Sequence, residues 1–150
     1  MIAPIMTLRA HEFARWKSAM RKALANVQSL RFAGNCKEAS QALVKEWNRM
    51  FPHTVCRNTV CEGRVFGPRL EATHVVALLG HPQRQRCWWL VDATWNENAV
   101  EWDGKQVPMD NETMEGTDVW VQLLASRCPF ERASRVRAKL PGALYFQADC

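Results

Sequence analysis

Three side chains of this 150-residue chain, those of Cys36, His74 and Asp92, are of the types needed for nucleophilic chemistry at a carbonyl group. The thiolate is the reactive form of a cysteine, and the positive end of a helix dipole favours it. A histidine can take up the thiol proton, and a carboxylate can orient the imidazole and stabilise its charged form. The chemistry therefore depends on whether the chain brings these three side chains together.

Cys36 is predicted to lie in the first turn of a helix. The preceding Gly34 and Asn35 are typical of a loop, and apolar or small residues then recur at helical spacing, at Ala39, Leu43, Trp47 and Met50. A proline shortly after these residues ends the predicted helix. An earlier amphipathic helix is predicted to begin after an N-cap at Thr7, to run to about Leu30 and to be closed by Gly34.

The positions of His74 and Asp92 follow from a predicted hairpin. Residues 74–79 and 87–92 have the composition of strands, and a polar turn over residues 80–86 joins them. If Leu79 pairs with Cys87, the antiparallel register places His74 directly opposite Asp92 on one face. Directly opposed Cβ atoms are about 5 Å apart, so Asp92 can hold the imidazole through a hydrogen bond. We expect the helix of Cys36 to pack against this face.

The remaining elements are predicted from weaker patterns. Strands are expected at residues 55–60, 64–66 and 119–124, and Asp103-Gly104 predicts a hairpin turn between residues 99–102 and 105–108. Helices that precede a run of antiparallel strands predict an α+β fold, with the N-terminal helices packed on the sheet. The length of 150 residues suits one domain over residues 1–150.

This order of residues resembles the papain-like superfamily in its broad sense, which includes transglutaminase-like proteins. Residues 89–95 are similar to the transglutaminase-like pattern, in which a tryptophan-bearing strand ends in aspartate, a small residue and threonine. Residues 34–36, followed by Ala39 and Ser40, are similar to the nucleophile helix of papain-fold toxin and effector domains in bacteria. The resemblance covers about residues 34–95. It implies Cys36 as the nucleophile, His74 as general base and acid, and Asp92 as the residue that orients the imidazolium.

The resemblance also implies the reaction. A thiolate attacks an amide carbonyl to give a thioester, and water or an amine then resolves it, so deamidation, transamidation and peptide hydrolysis are the expected outcomes. The expected partners are a protein or peptide substrate and, for a toxin or effector domain, an acidic inhibitor or immunity protein. No cofactor is implied.

The oxyanion donors are less well defined than the triad. The main-chain N–H of Cys36 is one expected donor, because it lies at a helix N-terminus. Papain-type proteases carry a glutamine a few residues before the cysteine and a tryptophan after it, whereas residues 30–35 contain no glutamine and Lys37 follows Cys36. Asn35 is the candidate second donor. Trp95, just after the aspartate, could line a substrate groove or cap the site, but packing in the core is the favoured interpretation.

Each residue of the triad also has a purely structural interpretation, because buried cysteines and turn-forming aspartates are common. The chain would then be a non-catalytic binding domain on the same scaffold. His81, in the hairpin turn, is the rival general base. A zinc site formed by His53, Cys56, Cys61 and Cys87 is another alternative, but its spacing matches no strong metal-binding pattern, and no metal is predicted.

The basic C-terminal stretch raises a nucleic-acid alternative. Residues 127–139 are rich in arginine, and Arg132, Arg135 and Lys139 would share one face of a helix. No recognised nucleic-acid motif surrounds them, so a solvated helix surface is favoured, and a contact with an acidic partner is a further alternative. The net charge of +5 favours acidic partners only weakly.

Composition excludes several classes of protein. Apolar residues make up 47% and charged residues 23%, which is the profile of a globular protein. No apolar run of about 18 residues predicts a membrane span, and the first residues do not form a signal-peptide core. The six cysteines are irregularly spaced. We therefore expect most of them to be reduced and the protein to be cytoplasmic, or delivered as a secreted effector without a recognisable signal peptide.

Overall fold

The computed structural model describes residues 10–54, 58–83, 87–102, 119–125 and 135–149. The helices are α1 (Ala10–Asn26), α2 (Cys36–Met50) and α3 (Trp95–Ala99), and a short 3-10 turn lies at Gln28–Leu30. The strands are β1 (Thr59–Gly67), β2 (Leu70–Gly80), β3 (Cys87–Asp92), β4 (Trp120–Ala125), β5 (Arg135–Lys139) and β6 (Tyr145–Asp149). Among these helices, none is long and apolar enough to cross a membrane.

The six described strands form one antiparallel sheet in the order β4-β3-β2-β1-β6-β5. Helices followed by an antiparallel sheet confirm the predicted α+β class. α2 has the predicted bounds, because the apolar residues at its helical period are the ones it buries. The strand predicted at residues 119–124 is confirmed as β4.

Two predictions about the N-terminal half of the sheet are wrong. β1 is one continuous strand through residues 59–67, where two short strands are predicted at residues 55–60 and 64–66; residues 55–57 lie outside the described residues. β2 begins at Leu70, so His74 lies inside the strand and not at its start. The extra residues of β2 pair with β1 down to Leu70, opposite Gly67. The backbone of His74 is therefore paired with β1, where its partner is Gly63.

The C-terminal half also differs from the sequence prediction. α3 ends at Ala99 and a turn follows at residues 101–102, where a strand is predicted. Arg135 and Lys139 lie in β5, so the predicted helical face is wrong for these residues, and β6 is not predicted at all. Thr7, Arg132 and residues 105–108 lie outside the described residues.

The register between β2 and β3 differs by two residues from the predicted one. Leu78 pairs with Leu90, and Gly80 pairs with Trp88. Because side chains alternate with a period of two, this shift keeps every residue on its predicted face. His74 and Asp92 therefore stay on the same face but are diagonal neighbours instead of directly opposed ones.

Each face of the sheet has its own hydrophobic core. The first core joins α1 and α2 to the odd-numbered residues of β2 and β3, and includes Trp16, Leu43, Trp47, Leu79 and Val91. The second core lies on the opposite face and includes Val76, Leu78, Leu90, Trp95 and Phe146. The expectation that α2 packs against the face of His74 is wrong, since the buried residues of α2 belong to the first core and the rings around His74 to the second.

Candidate active site

The N-terminus of α2 leaves main-chain N–H groups available around Cys36. Gly34 has a φ of 83°, which turns the chain into the helix, and the first intrahelical bond runs from the N–H of Ala39 to the carbonyl of Asn35. The Asn35 side chain makes no capping hydrogen bond to the helix. The N–H groups of the first turn therefore have no intrahelical acceptor, and their partial positive charge lies beside Cys36.

His74 and Asp92 form a buried hydrogen-bonded pair. Nε2 of His74 lies 2.8 Å from Oδ2 of Asp92, and the two side chains are 1% and 0% exposed. Diagonal neighbours in a sheet have Cα atoms about 7–8 Å apart, which is within reach of long side chains. The bond forms in spite of the shifted register because the imidazole uses Nε2, the ring nitrogen farther from its backbone.

The Cys36 thiol contacts His74 from the N-terminus of α2. The side chain of His74 and the main chain of Val75 lie close enough to the sulfur to lower the pKa of the thiol. Since Nε2 of His74 bonds Asp92, Nδ1 is the nitrogen left to face the thiol, and Nδ1 makes no hydrogen bond of standard geometry within the described residues. Cys36 is half-buried, whereas His74 is buried, so the sulfur is the more accessible of the two reacting groups.

Val75 explains how α2 reaches the histidine from the other side of the sheet. β3 pairs with β2 only from Ala77 to Gly80, so the β3-facing edge of β2 has no strand partner at Val75. The polar groups of Val75 meet α2 there. Its main chain lowers the pKa of the Cys36 thiol, and its carbonyl accepts from the hydroxyl of Ser40 at 3.2 Å. The first turns of α2 thus dock beside the gap left by the end of β3.

The electrostatics of the site favour an imidazolium and a thiolate. Burial by itself would lower the pKa of His74, but the charge of Asp92 and hydrogen bonds to Asp92 and Cys36 raise it to about 10. Burial likewise works to raise the pKa of the Cys36 thiol. The hydrogen bond and charge of His74, together with the Val75 N–H, outweigh burial and the Asp92 charge and lower the pKa below its ordinary value. The arrangement can therefore present a nucleophilic sulfur and a proton donor at neutral pH.

Asn35, the candidate second oxyanion donor, uses its side chain in a hydrogen bond within the loop before α2. Its side-chain Nδ2 donates to the carbonyl oxygen of Leu30 at 2.8 Å, which closes the loop before Cys36. The main-chain N–H of Cys36, in the first turn of α2, has no intrahelical acceptor and could donate to an oxyanion there.

Trp95 does not line an open groove, because its side chain is 0% exposed and belongs to the second core. Trp102 contacts the histidine instead. Its ring lies edge-on to that of His74, with centroids 4.8 Å apart, and Trp95 packs behind it at 6.1 Å. Trp102 was not singled out from the sequence, since the chain reaches His74 only by way of α3 and the turn after it.

Trp102 also borders a cleft next to the site. The cleft has a volume of about 300 Å³ and is mostly apolar, with one basic and one acidic residue, Arg69 and Glu101, in its lining. Leu70 and Leu144 form its apolar walls together with Trp102. A substrate side chain bound in this cleft could therefore contact Trp102, which itself contacts the imidazole.

The rival residues lie in other surroundings. His81 is buried against Trp16 of α1, with ring centroids 4.9 Å apart, and its Nδ1 accepts the N–H of Gln83. Cys61 is disulfide-bonded, so the expectation of reduced cysteines is wrong for this residue and its sulfur has no thiolate for zinc. Within the described ranges, no group of three or more His, Cys, Asp or Glu side chains could hold a metal ion. Cys56 and the side chain of Cys87 lie outside the described part of the chain.

Comparison of the chain with protein-family models, with curated proteins and with solved structures finds no match. The resemblance to papain-like and transglutaminase-like enzymes therefore stays a prediction. The contacts among Cys36, His74 and Asp92 are independent of that resemblance.

Proposed function

We propose that the chain is a thiol-dependent enzyme that acts on an amide bond of a protein or peptide. Cys36 is the nucleophile, His74 the general acid and base, and Asp92 the residue that orients and charges the imidazole. One observation carries this proposal: the buried His74 imidazole is hydrogen-bonded to the buried Asp92 carboxylate and lies close enough to the half-buried Cys36 thiol to lower the pKa of that thiol. This is the nucleophile–base–orienter set of covalent catalysis.

The first half of the reaction forms a thioester. The Cys36 thiolate attacks the amide carbonyl carbon, and the carbonyl electron pair moves to oxygen, where the Cys36 N–H can stabilise it. As the C–N bond breaks, the His74 imidazolium gives its Nδ1 proton to the leaving nitrogen. The products are a Cys36 thioester, a neutral imidazole and a free amine or ammonia.

The second half restores the enzyme. Neutral His74 takes a proton from water, the resulting hydroxide attacks the thioester carbonyl, and the C–S bond breaks to return the thiolate. Attack by water after loss of ammonia is deamidation of glutamine or asparagine, and after loss of a main-chain amine it is peptide hydrolysis. Attack by a second amine is transamidation.

A purely structural role accounts poorly for this arrangement. Burying an ionised carboxylate and an imidazolium costs free energy that a well-packed apolar pair would avoid. Strongly perturbed pKa values with a specific partner at a partly open position are typical of functional sites. Cys36 meets this description, whereas Cys61, which is 1% exposed and disulfide-bonded, does not.

The biological setting we favour is a bacterial toxin or effector domain, in line with the resemblance of the helix at Cys36. The net charge of +5 would suit an acidic inhibitor protein. A disulfide at Cys61 is maintained more readily in an oxidising compartment than in a reducing cytoplasm. Delivery across such a compartment therefore fits better than permanent cytoplasmic residence.

Selective alkylation tests the proposal. The native protein is treated with iodoacetamide at mildly acidic pH, and the modified cysteines are mapped by mass spectrometry. We expect preferential modification of Cys36 that is lost in His74→Ala and kept in the matched control His53→Ala, since His53 is exposed. Uniform or absent labelling of Cys36 would instead favour a non-catalytic binding domain on the same scaffold.

A second assay assigns the reaction. Candidate protein substrates are incubated with the native protein and with Cys36→Ser, and ammonia, new peptide termini and incorporation of an added amine are measured. Ammonia alone indicates deamidation, new termini indicate hydrolysis, and amine incorporation indicates transamidation. Equal signals from native protein and Cys36→Ser would refute a role for the thiol.

A further inference from the structure

The loop before Cys36, residues 31–35, is tied to the segment after Asp92 by two hydrogen bonds. Arg31 donates from Nε to the carbonyl oxygen of Ala93 at 2.9 Å, and the main-chain N–H of Gly34 donates to Oδ1 of Asn98 at 3.3 Å. Arg31 and Asn98 are 7% and 4% exposed. The nucleophile and the orienting carboxylate are thus connected by contacts outside the triad itself.

The contact at Asn98 continues to Asp92 through Thr94. Nδ2 of Asn98 donates to Oγ1 of Thr94 at 2.8 Å, and the main-chain N–H of Thr94 donates to Oδ1 of Asp92 at 3.3 Å. The other carboxylate oxygen, Oδ2, accepts from His74. A continuous chain of hydrogen bonds therefore runs from Gly34 to the imidazole.

We propose that Asn98 is a positioning residue that holds the Cys36 sulfur in contact with the His74 imidazole; this inference rests on the proposed function of the same site. Its Oδ1 holds the loop two residues before Cys36, and its Nδ2 holds the turn two residues after Asp92. A side-chain amide suits this place because it offers an acceptor and a donor at once.

The geometry explains why a support is needed here. The buried face of α2 packs in the first core, whereas His74 and α3 lie at the second core. The position of the N-terminus of α2 must therefore be fixed by contacts with residues on the other side of the sheet. Asn98, on α3, joins the loop before α2 to the His74 side.

A matched pair of variants tests the proposal. Asn98→Ala and Asn58→Ala each remove an asparagine whose Oδ1 accepts a glycine N–H, but Asn58 bonds Gly80, at the far end of β2. The rate of Cys36 alkylation by iodoacetamide is measured across pH, and stability is measured by urea unfolding. We expect Asn98→Ala to lower the alkylation rate at mildly acidic pH by about tenfold, the factor that corresponds to one net hydrogen bond, and to move the midpoint to higher pH. Asn58→Ala should leave the profile unchanged.

A second pair of variants tests the same contact in case Asn98→Ala does not fold. Thr94→Val removes the hydroxyl that accepts from Asn98 but keeps the shape of the side chain, whereas Thr94→Ser keeps the hydroxyl. Thr94→Val should reproduce the shifted alkylation profile, and Thr94→Ser should restore the native one. This rescue distinguishes a positioning contact from a packing contact.

Native alkylation profiles in Asn98→Ala and Thr94→Val, with or without loss of stability, would overturn the positioning role. Failure of the proposed function is a separate result. If native Cys36 reacts at mildly acidic pH but no amide substrate is turned over, the function fails and the positioning role stands on the alkylation data. If native Cys36 is unreactive there, both proposals fall.

Discussion

The charge of Asp92 should determine whether Cys36 is a thiolate, and Asp92→Asn tests this with little change of shape. Oδ2 of Asp92 accepts from His74, and Oδ1 accepts from the N–H of Thr94. An asparagine has one oxygen, so it can satisfy only one of these two donors. We expect the oxygen to face His74, because that contact is 2.8 Å long and the contact to Thr94 is 3.3 Å long. The imidazole would keep its place and lose its counter-charge.

The magnitude follows from the geometry of the pair. A nitrogen–oxygen distance of 2.8 Å places the two charge centres close together, and both side chains are buried. Unit charges about 4 Å apart attract by about 4 kcal/mol at the effective dielectric constant of about 20 that suits protein sites. This energy corresponds to about a thousandfold change in the proton affinity of His74. Without it, burial favours the neutral imidazole, and the proton returns to the sulfur.

The assay is the pH profile of Cys36 alkylation. At mildly acidic pH we expect the rate in Asp92→Asn to fall by about a hundredfold to a thousandfold, because the thiolate fraction falls with the imidazolium. Glu62→Gln is the matched control, since it removes an exposed carboxylate that pairs with Lys37, next to Cys36. A profile in Asp92→Asn within about a factor of two of the native one would refute the electrostatic reasoning.

Three further outcomes follow from the structure. Because the pKa of His74 is raised to about 10, its contribution to the free energy of unfolding should be complete below about pH 6.5 and lost as the pH rises towards 10. Because the pKa of Cys36 is lowered, its contribution should be complete above about pH 8.5 and lost as the pH falls. Urea unfolding of the native protein against the Cys36→Ala/His74→Ala double variant across pH measures both. Gly67→Ala should destabilise the fold by about 1–3 kcal/mol, since its Cβ would lie 2.5 Å from Cδ2 of Leu144, while Cys36 alkylation is unchanged. Ser40→Ala should lower the free energy of unfolding in urea by about 1 kcal/mol and slow Cys36 alkylation, because the buried Ser40 hydroxyl bonds α2 to β2. An unchanged alkylation rate would show that this hydrogen bond does not position Cys36.

The hairpin shows how far the sequence determines the site. The alternation of side chains placed His74 and Asp92 on one face, because a shift of one residue between the strands would put them on opposite faces. It did not fix the register, since residues 74–80 of β2 are buried throughout and a shift by two residues leaves an equally apolar pair of strands. The turn between the strands, longer than a two-residue hairpin, does not resolve this ambiguity.

The C-terminal stretch contains a signal that a helical interpretation overlooks. Basic residues at positions 135, 137 and 139 alternate with apolar ones, which is the period of a strand. In β5, Arg137 and Lys139 are exposed, Ala138 is buried, and the Arg137 guanidinium lies 4.7 Å from the ring centroid of Tyr145. The contacts of Trp102 and Asn98 had no such signal, because they depend on where α3 lies after the chain leaves the sheet.

The early end of β3 is what lets a thiol on one side of the sheet reach an imidazole on the other. If β3 continued to pair with β2 beyond Ala77, the main chain of Val75 would bond to β3 and could neither accept from Ser40 nor lower the pKa of Cys36. Asp92 is the last residue of β3, so the carboxylate that charges the imidazole lies where the ladder stops. The three reacting groups therefore meet at a strand end, where main-chain groups and a helix N-terminus are both free to act on the sulfur.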